Sequence, residues 1–426
     1  NEHNAKFSSH QQRKPIRRRI REIEAVDFFN VLTGPELLET TEAHLPEHRE
    51  RLYPPTVTLS LFMRQALNED GSCQRAVNGW AARRAGEGLS PHSIATGAYC
   101  KARQRLPGEL VTALTRETGR LLSARAPADW RWRGRAVKLV DGTGISMPDT
   151  EENQAVYPQP STQAEGVGFP LARLVGVICL STGAVLDAAM GPQAGKGSGE
   201  LGRLRRLDAA FSPGDVMLAD ALYCNYFLIA TLLAAGVDGL FEQHGARITD
   251  FRRGQALGSR DHLVCWPKPK ICPQWMTRQQ YESFPDRLTM REVKVDGHVL
   301  VTTMLDPRKV KKGELSELYA RRWNVELDFR NIKTTLGMEV LRCQSPPMIE
   351  KELWVHLLAY NLIRLLMAQA ALNAAVHPRH LSFKHTVQMW TEWTSRHLGS
   401  HPAQHNEVLF RLIAQLKVGN RPGRME

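Results

Sequence analysis

The segment YARRWNVELDFRNIK, residues 319–333, sets a phenol, a guanidinium, a carboxylate and an ammonium at Tyr319, Arg322, Glu326 and Lys333. At about 3.6 residues per turn, these four positions share one helix face. Leu315, Leu318, Val325, Phe329 and Ile332 form an apolar face, spaced to meet a core. A carboxylate flanked by cations suits a site that holds a divalent metal and grips a phosphate backbone. The plainer reading is a solvated face laced with i,i+4 ion pairs. Two upstream aspartates weigh against it. Asp141 follows residues 136–140, which read as a buried strand, and opens the turn-like Asp141-Gly142-Thr143. Asp220 ends the apolar run 216–219, which follows the turn signal Pro213-Gly214. Both are expected at the ends of buried strands, where a carboxylate is costly unless paired, protonated or bound to metal. Capping a turn is the simpler alternative for each.

Taken in order, DGT at Asp141, PDTEEN at 148–153, LADALY around Asp220 and the Tyr–Arg–Glu–Lys helix resemble the DDE transposases of bacterial insertion sequences. The subgroup is the IS-four type, known by its YREK signature, whose spacing is matched in full. The segment KELWVHLLAYNLIR, 351–364, is similar to the family's helix after the catalytic Glu. The likeness spans roughly residues 90–375. It implies an α/β, ribonuclease-H-like catalytic core interrupted by an all-β insertion. Asp141, Asp220 and Glu326 would then be catalytic and would hold two Mg²⁺ ions, with Mn²⁺ as a substitute. Asp141 would bridge the ions and the other two would flank them. Tyr319, Arg322 and Lys333 would hold the backbone of the transposon end near a flipped base. Relatives place an aromatic on the insertion hairpin for that base. Here His298 follows the Asp-Gly turn, so His298 and Trp266 are the stacking candidates, although Trp is more often core. The implied partners are double-stranded DNA, at transposon ends and target, and a second copy of the chain in the DNA complex. Two rivals remain: a structure-selective nuclease of the same fold, and a non-catalytic DNA-binding relative.

Composition bounds the choice. A chain of 426 residues, 42% hydrophobic and 23% charged, has room for several domains and a large core. The net charge of +12 and pI near 9.5 favour a polyanionic partner, nucleic acid first. No run of about 18 uncharged apolar residues occurs. The greasiest segment, 353–372, is broken by His356, Asn361 and Arg364 and reads as a buried helix, so no membrane partner is expected. Seven scattered cysteines without a CxxC pair fit reduced thiols. Cys265, Cys272 and His262 match no standard zinc spacing. The chain opens on Asn, and no signal-peptide pattern is visible. The expectation is a cytoplasmic protein, nucleoid-associated when bound to DNA.

Five segments are expected. Residues 1–133 form a helical DNA-binding region. Its basic arm RKPIRRRIR, 13–21, carries Arg17, Arg18 and Arg19 for phosphates. Within it, residues 77–106 suggest a helix-turn-helix with Ser90-Pro91 as a helix start. Its last helix would offer Lys101, Arg103, Gln104 and Arg105 to a major groove, or simply form a basic bundle exterior. Residues 134–245 give the first part of the core, reading strand, strand, strand, helix, strand, helix, strand. Residues 246–309 form the β-rich insertion, with a two-residue hairpin at Asp296-Gly297. The core resumes over 310–375 with the YREK helix. A helical region, 376–426, closes the chain.

Overall fold

The computed structural model describes residues 35–45, 52–90, 92–162, 164, 166–193, 199–396 and 403–418. The basic arm with Arg17, Arg18 and Arg19 lies outside the described residues. Among the described residues nine strands form one mixed sheet: β1 (Val137–Ser146), β2 (Leu171–Cys179), β3 (Val185–Pro192), β4 (Val216–Ala219), β5 (Asp238–Glu242), β6 (Gln255–Gly258), β7 (Asp261–Pro267), β8 (Arg287–Val295) and β9 (His298–Thr302). Their spatial order is β3-β2-β1-β4-β5-β9-β8-β7-β6. β1, β4 and β5 run parallel, and the remaining neighbours are antiparallel.

The helices follow the chain as α1 (Pro35–His44), α2 (Pro55–Leu67), α3 (Cys73–Gly86), α4 (Gly97–Arg105), α5 (Gly108–Arg125), α6 (Glu151–Val156), α7 (Glu200–Leu204), α8 (Tyr226–Ala234), α9 (Arg278–Ser283), α10 (Lys312–Ala320), α11 (Asn324–Arg330), α12 (Pro346–Asn373), α13 (Phe383–Arg396) and α14 (Ala403–Gln415). Helices cover both sheet faces, which is why the central strand β4 reads as an unbroken apolar run. Leu139, Leu174, Leu218 and Leu240 share a core with residues of α5, α10, α11 and α12. Val140, Val175, Met217 and Phe241 point the other way, toward residues of α7 and α8.

Two hairpins take the turns their sequences demand. Gly183 reaches φ +78° between β2 and β3, and Asp296 and Gly297 take φ +47° and +86° between β8 and β9. Only the mirror-image turn puts both central residues at positive φ, and Asp-Gly tolerates it best.

Several expectations change. Strand β1 does not break at Asp141-Gly142-Thr143; it runs on to Ser146, because β2 pairs with its whole far half. The segment 246–309 is not all-β: the short helix α9 lies among its strands, of which β9 pairs with β5. The helix expected over 200–211 is only α7, followed by a 3₁₀ turn at Asp208–Ala210. No tight helix-turn-helix forms, since α3 ends at Gly86 and α4 starts only at Gly97. Nor does packing break at residue 133: Leu110, Leu114 and Leu122 of α5 belong to the same core as Leu139 and Leu358. Helix α12 has the length and composition to cross a membrane, yet 83% of its most apolar window is buried within the protein.

Candidate active site

Asp141 and Asp220 lie at one end of the parallel part of the sheet. β1 pairs with β4 as far as Leu139↔Leu218; β4 ends one residue later at Ala219, and β1 continues against β2 alone. Asp141 therefore stands just beyond the end of its parallel neighbour. Asp220 is the first residue past β4, and its carboxylate accepts from the Leu222 N–H at 2.9 Å, capping a 3₁₀ turn over Ala221–Tyr223. Carboxyl ends of parallel strands are where open α/β sheets place their sites.

Glu326 stands on α11 and meets Arg322, whose charge also reaches Asp141 and Asp220. The helix is docked by its apolar face: Val325 and Ile332 are fully buried, and the Phe329 ring lies over Gly176. A Cβ at residue 176 would sit 3.2 Å from that ring, so the bare glycine lets the helix approach. Gly176 is the cross-strand partner of Asp141. One turn of helix thus carries Phe329 onto the cross-strand neighbour of Asp141 and Glu326 beside Arg322. The YREK stripe is not a uniform α-helix, however. It tightens to 3₁₀ at Arg321–Trp323 and widens to a π-turn at Asn331–Thr335.

Arg322 is half-buried among the carboxylates. Its Nη2 lies 3.4 Å from Glu326 Oε1, and its charge is felt by Asp141 and Asp220. Burial pushes the Asp141 carboxyl up to about 7, against the Gly142 N–H bond that favours its charge; Asp220 and Glu200 raise it further, while Arg322 lowers it. An acid with a raised folded-state pKa holds a proton that the unfolded chain has already released. Stability from this group must then fall as pH rises from near 3.8 to about 7. Asp141→Asn should remove that cost. In EDTA the variant should melt higher than the parent at about pH 8, and the difference should vanish near pH 4. Equal midpoints at both pH values would show that Asp141 ionises without penalty.

Among the described residues no three His, Cys, Asp or Glu side chains already form a coordination shell. The donor set nevertheless fits a hard cation: a half-buried Asp141 beside Asp220, with the Arg322 guanidinium to balance them and Glu326. Cys265, Cys272 and His262 do not assemble: His262 is buried and bonded to Arg253 O and Glu292.

The other sequence candidates separate. The Tyr319 hydroxyl donates to Glu242 Oε2 at 3.1 Å, and His298 Nδ1 lies 2.8 Å from Glu242 Oε1. Glu242 ends β5 in register beside Asp220 and had no motif to mark it. The strand-end rule applied to VDGLFEQ would have found it. Lys333 faces Glu339 at 3.8 Å. Trp266 is not a stacking platform: it is buried, its Nε1 donates to Glu292, and Arg247 already covers its ring. His298 is 46% exposed. Lys101, Gln104 and Arg105 are exposed on α4. Arg103 instead turns inward over Phe62 and Tyr99, because Lys351 of α12 ties down the carbonyls of Arg103 and Gln104. Sequence reading also missed Glu200, whose carboxylate lies against Gly142.

Residues 132–362 match the family described as Transposase DDE domain. The Escherichia coli transposase InsG for insertion sequence element IS4 is 29% identical over 343 residues, 78% of this chain and 75% of that protein. The putative E. coli transposase InsL for element IS186A is 33% identical over 67 residues, 16% and 18% of the two chains. A cryo-EM structure of the piggyBac transposase synaptic complex with hairpin DNA aligns at a TM-score of 0.44 and 11% identity, over 92% of this chain and 80% of that one, a likeness too loose to build on. By family match and by its length of alignment to InsG, the chain belongs to the DDE transposases, of the IS4 type.

Proposed function

We propose that this DNA transposase binds the terminal inverted repeats of its own element, cuts the DNA at the element ends and joins the freed 3′-hydroxyls to target DNA. The observation that carries this reading is the convergence of Asp141, Asp220 and Glu326 on Arg322 at one end of a mixed sheet. The core is read as ribonuclease-H-like, with β6–β9 as its β-rich insertion. Asp141, Asp220 and Glu326 would hold two Mg²⁺ ions, for which Mn²⁺ can substitute. Bound there, such ions supply an activated nucleophile and stabilise the leaving oxygen of an in-line displacement.

The chain's own groups do the rest. Arg322 balances the carboxylates before DNA arrives and is placed to meet a phosphate afterwards. Tyr319 is held by Glu242 at the same sheet end. In each step an oxygen nucleophile, water or the 3′-hydroxyl, bonds to phosphorus while the opposite P–O bond breaks, and the nucleophile's proton leaves to solvent. No covalent protein–DNA link is needed. Lys101, Gln104 and Arg105 on α4 offer a basic surface for end recognition, His298 a ring for a displaced base, and a second copy would complete the paired-end complex.

The test is incubation of the purified protein with a duplex carrying the inverted repeats that flank its gene, in Mg²⁺ and in EDTA. Metal-dependent cleavage at the repeat boundary, with 3′-hydroxyl ends that join a second duplex, supports the reading. Cutting that ignores the repeats would favour a nuclease, and binding without cutting a non-catalytic relative.

Lys333 allows a sharper check. Its ion pair with Glu339, which is 63% exposed, is loose and worth at most about 1 kcal/mol. If Lys333 grips a phosphate, Lys333→Ala should slow cleavage and reduce the salt slope of end binding by about one unit, with little loss of stability. An unchanged slope and rate would leave Lys333 as a surface partner of Glu339.

A further inference from the structure

Glu200 opens α7, on the face of the sheet opposite α11. Its side chain is only 12% exposed. Oε1 accepts from Arg173 Nη1 at 2.7 Å, and Oε2 accepts from the Tyr223 hydroxyl at 2.8 Å. The carboxylate also fills the space beside the Gly142 Cα: a Cβ there would lie 2.3–2.7 Å from its three terminal atoms. Gly142 follows Asp141. Tyr223 is fully buried and closes the turn that Asp220 caps. Arg173 comes from β2, the strand that carries β1 past the end of β4. One carboxylate thus touches the backbone beside one catalytic aspartate, the turn after the other, and the strand that supports the first.

We propose that Glu200 is a positioning residue for transposition, tying the backbone at Asp141–Gly142 to the turn headed by Asp220. This rests on the assignment of both aspartates as catalytic. Groups that act on one phosphorus must hold their separation to within a fraction of an ångström, and Asp141 stands on β1 while Asp220 follows β4, strands whose direct pairing ends before either residue. The contact explains the glycine of the DGT motif: any side chain at residue 142 would expel the Glu200 carboxylate. It also explains Tyr223, whose buried hydroxyl has Glu200 as its acceptor. Both carboxylate oxygens are already engaged by donors of the chain, which marks Glu200 as a support for the site rather than a group that touches DNA.

The experiment compares Glu200→Ala, Glu200→Gln, Tyr223→Phe and Gly142→Ala with the parent and with Asp141→Ala. The readouts are single-turnover end cleavage, KM for the duplex carrying the flanking repeats, and the unfolding midpoint. Glu200→Ala and Gly142→Ala should lower kcat by about 100-fold at nearly unchanged KM, in protein that is folded at the assay temperature. Glu200→Gln, whose amide oxygen still accepts from Tyr223, should recover to within about tenfold of the parent. Tyr223→Phe should slow the parent but not the Glu200→Ala variant, and this pair keeps the test open if Gly142→Ala fails to fold. Parental kcat in folded Glu200→Ala, or full additivity with Tyr223→Phe, would overturn the proposal. Failure of the underlying assignment looks different: Asp141→Ala would itself remain active.

Discussion

Alanine at Asp141, Asp220 or Glu326 should lower end cleavage by on the order of a thousandfold or more, roughly 4 kcal/mol of lost transition-state stabilisation. End binding should stay within a few-fold of the parent and should tighten slightly, because each substitution removes negative charge from a surface that must meet phosphates. The size of the effect follows from what the carboxylates face. Asp141 is half-buried and its desolvation carries a charging cost, and Arg322 is the cation that meets all three acids among the described residues. A protein keeps such an arrangement where a cation completes it. Taking one acid away leaves too few hard oxygen donors to hold a divalent ion against water. Glu326→Gln is the stringent version, since the amide still accepts from Arg322 while the charge is gone. Cleavage rates read on a pre-bound duplex, with binding measured separately, separate chemistry from recognition. A Glu326→Ala protein that cuts at more than about a tenth of the parental rate would sink the three-carboxylate assignment.

The parts of this site that were legible in the sequence are those where local pattern and burial agree. Val137–Val140 and Val216–Ala219 read as strands because both faces of the sheet are covered. Asp296-Gly297 read as a hairpin because few other pairs accept positive φ twice. The apolar face at Leu315, Leu318, Val325, Phe329 and Ile332 is buried as its spacing requires. What failed was set by tertiary contacts. Asp141-Gly142-Thr143 looks like a turn, yet β2 holds it extended. Arg103 looks like a groove reader, yet aromatic rings and Lys351 claim its helix. Trp266 is a large aromatic whose indole is committed to Glu292. Glu200 and Glu242 carry no local signal: they matter through Gly142 and Tyr319, distant in sequence and adjacent in space.

The largest loss of stability is expected two residues beyond Glu326. Asp328 has no solvent exposure and accepts from Arg364, from the Tyr360 hydroxyl at 3.0 Å, and from Arg379 Nη1 at 2.7 and 2.8 Å. Arg379 also donates to the carbonyls of Cys179 and Leu180 at the end of β2. Arg364 belongs to α12 and lies over the rings of Tyr360 and Phe383. A single carboxylate therefore ties the Glu326 helix to α12 and to the sheet, and it is the counter-charge for two guanidiniums. Asp328→Ala leaves both buried, close together and unpaired, since arginine does not give up its proton in proteins. Breaking such a buried node costs about 3–5 kcal/mol, far more than an exposed pair. Asp328→Asn keeps an acceptor but not the charge, and should fall between the two. Urea unfolding of the three proteins measures the differences, with equal m-values as the check that only stability changed. The same contacts aim Glu326, so Asp328→Asn should also cut DNA more slowly at temperatures where it is fully folded. A cost below about 1 kcal/mol for Asp328→Ala would mean that water reaches the two guanidiniums and that α11 is held by its apolar face alone.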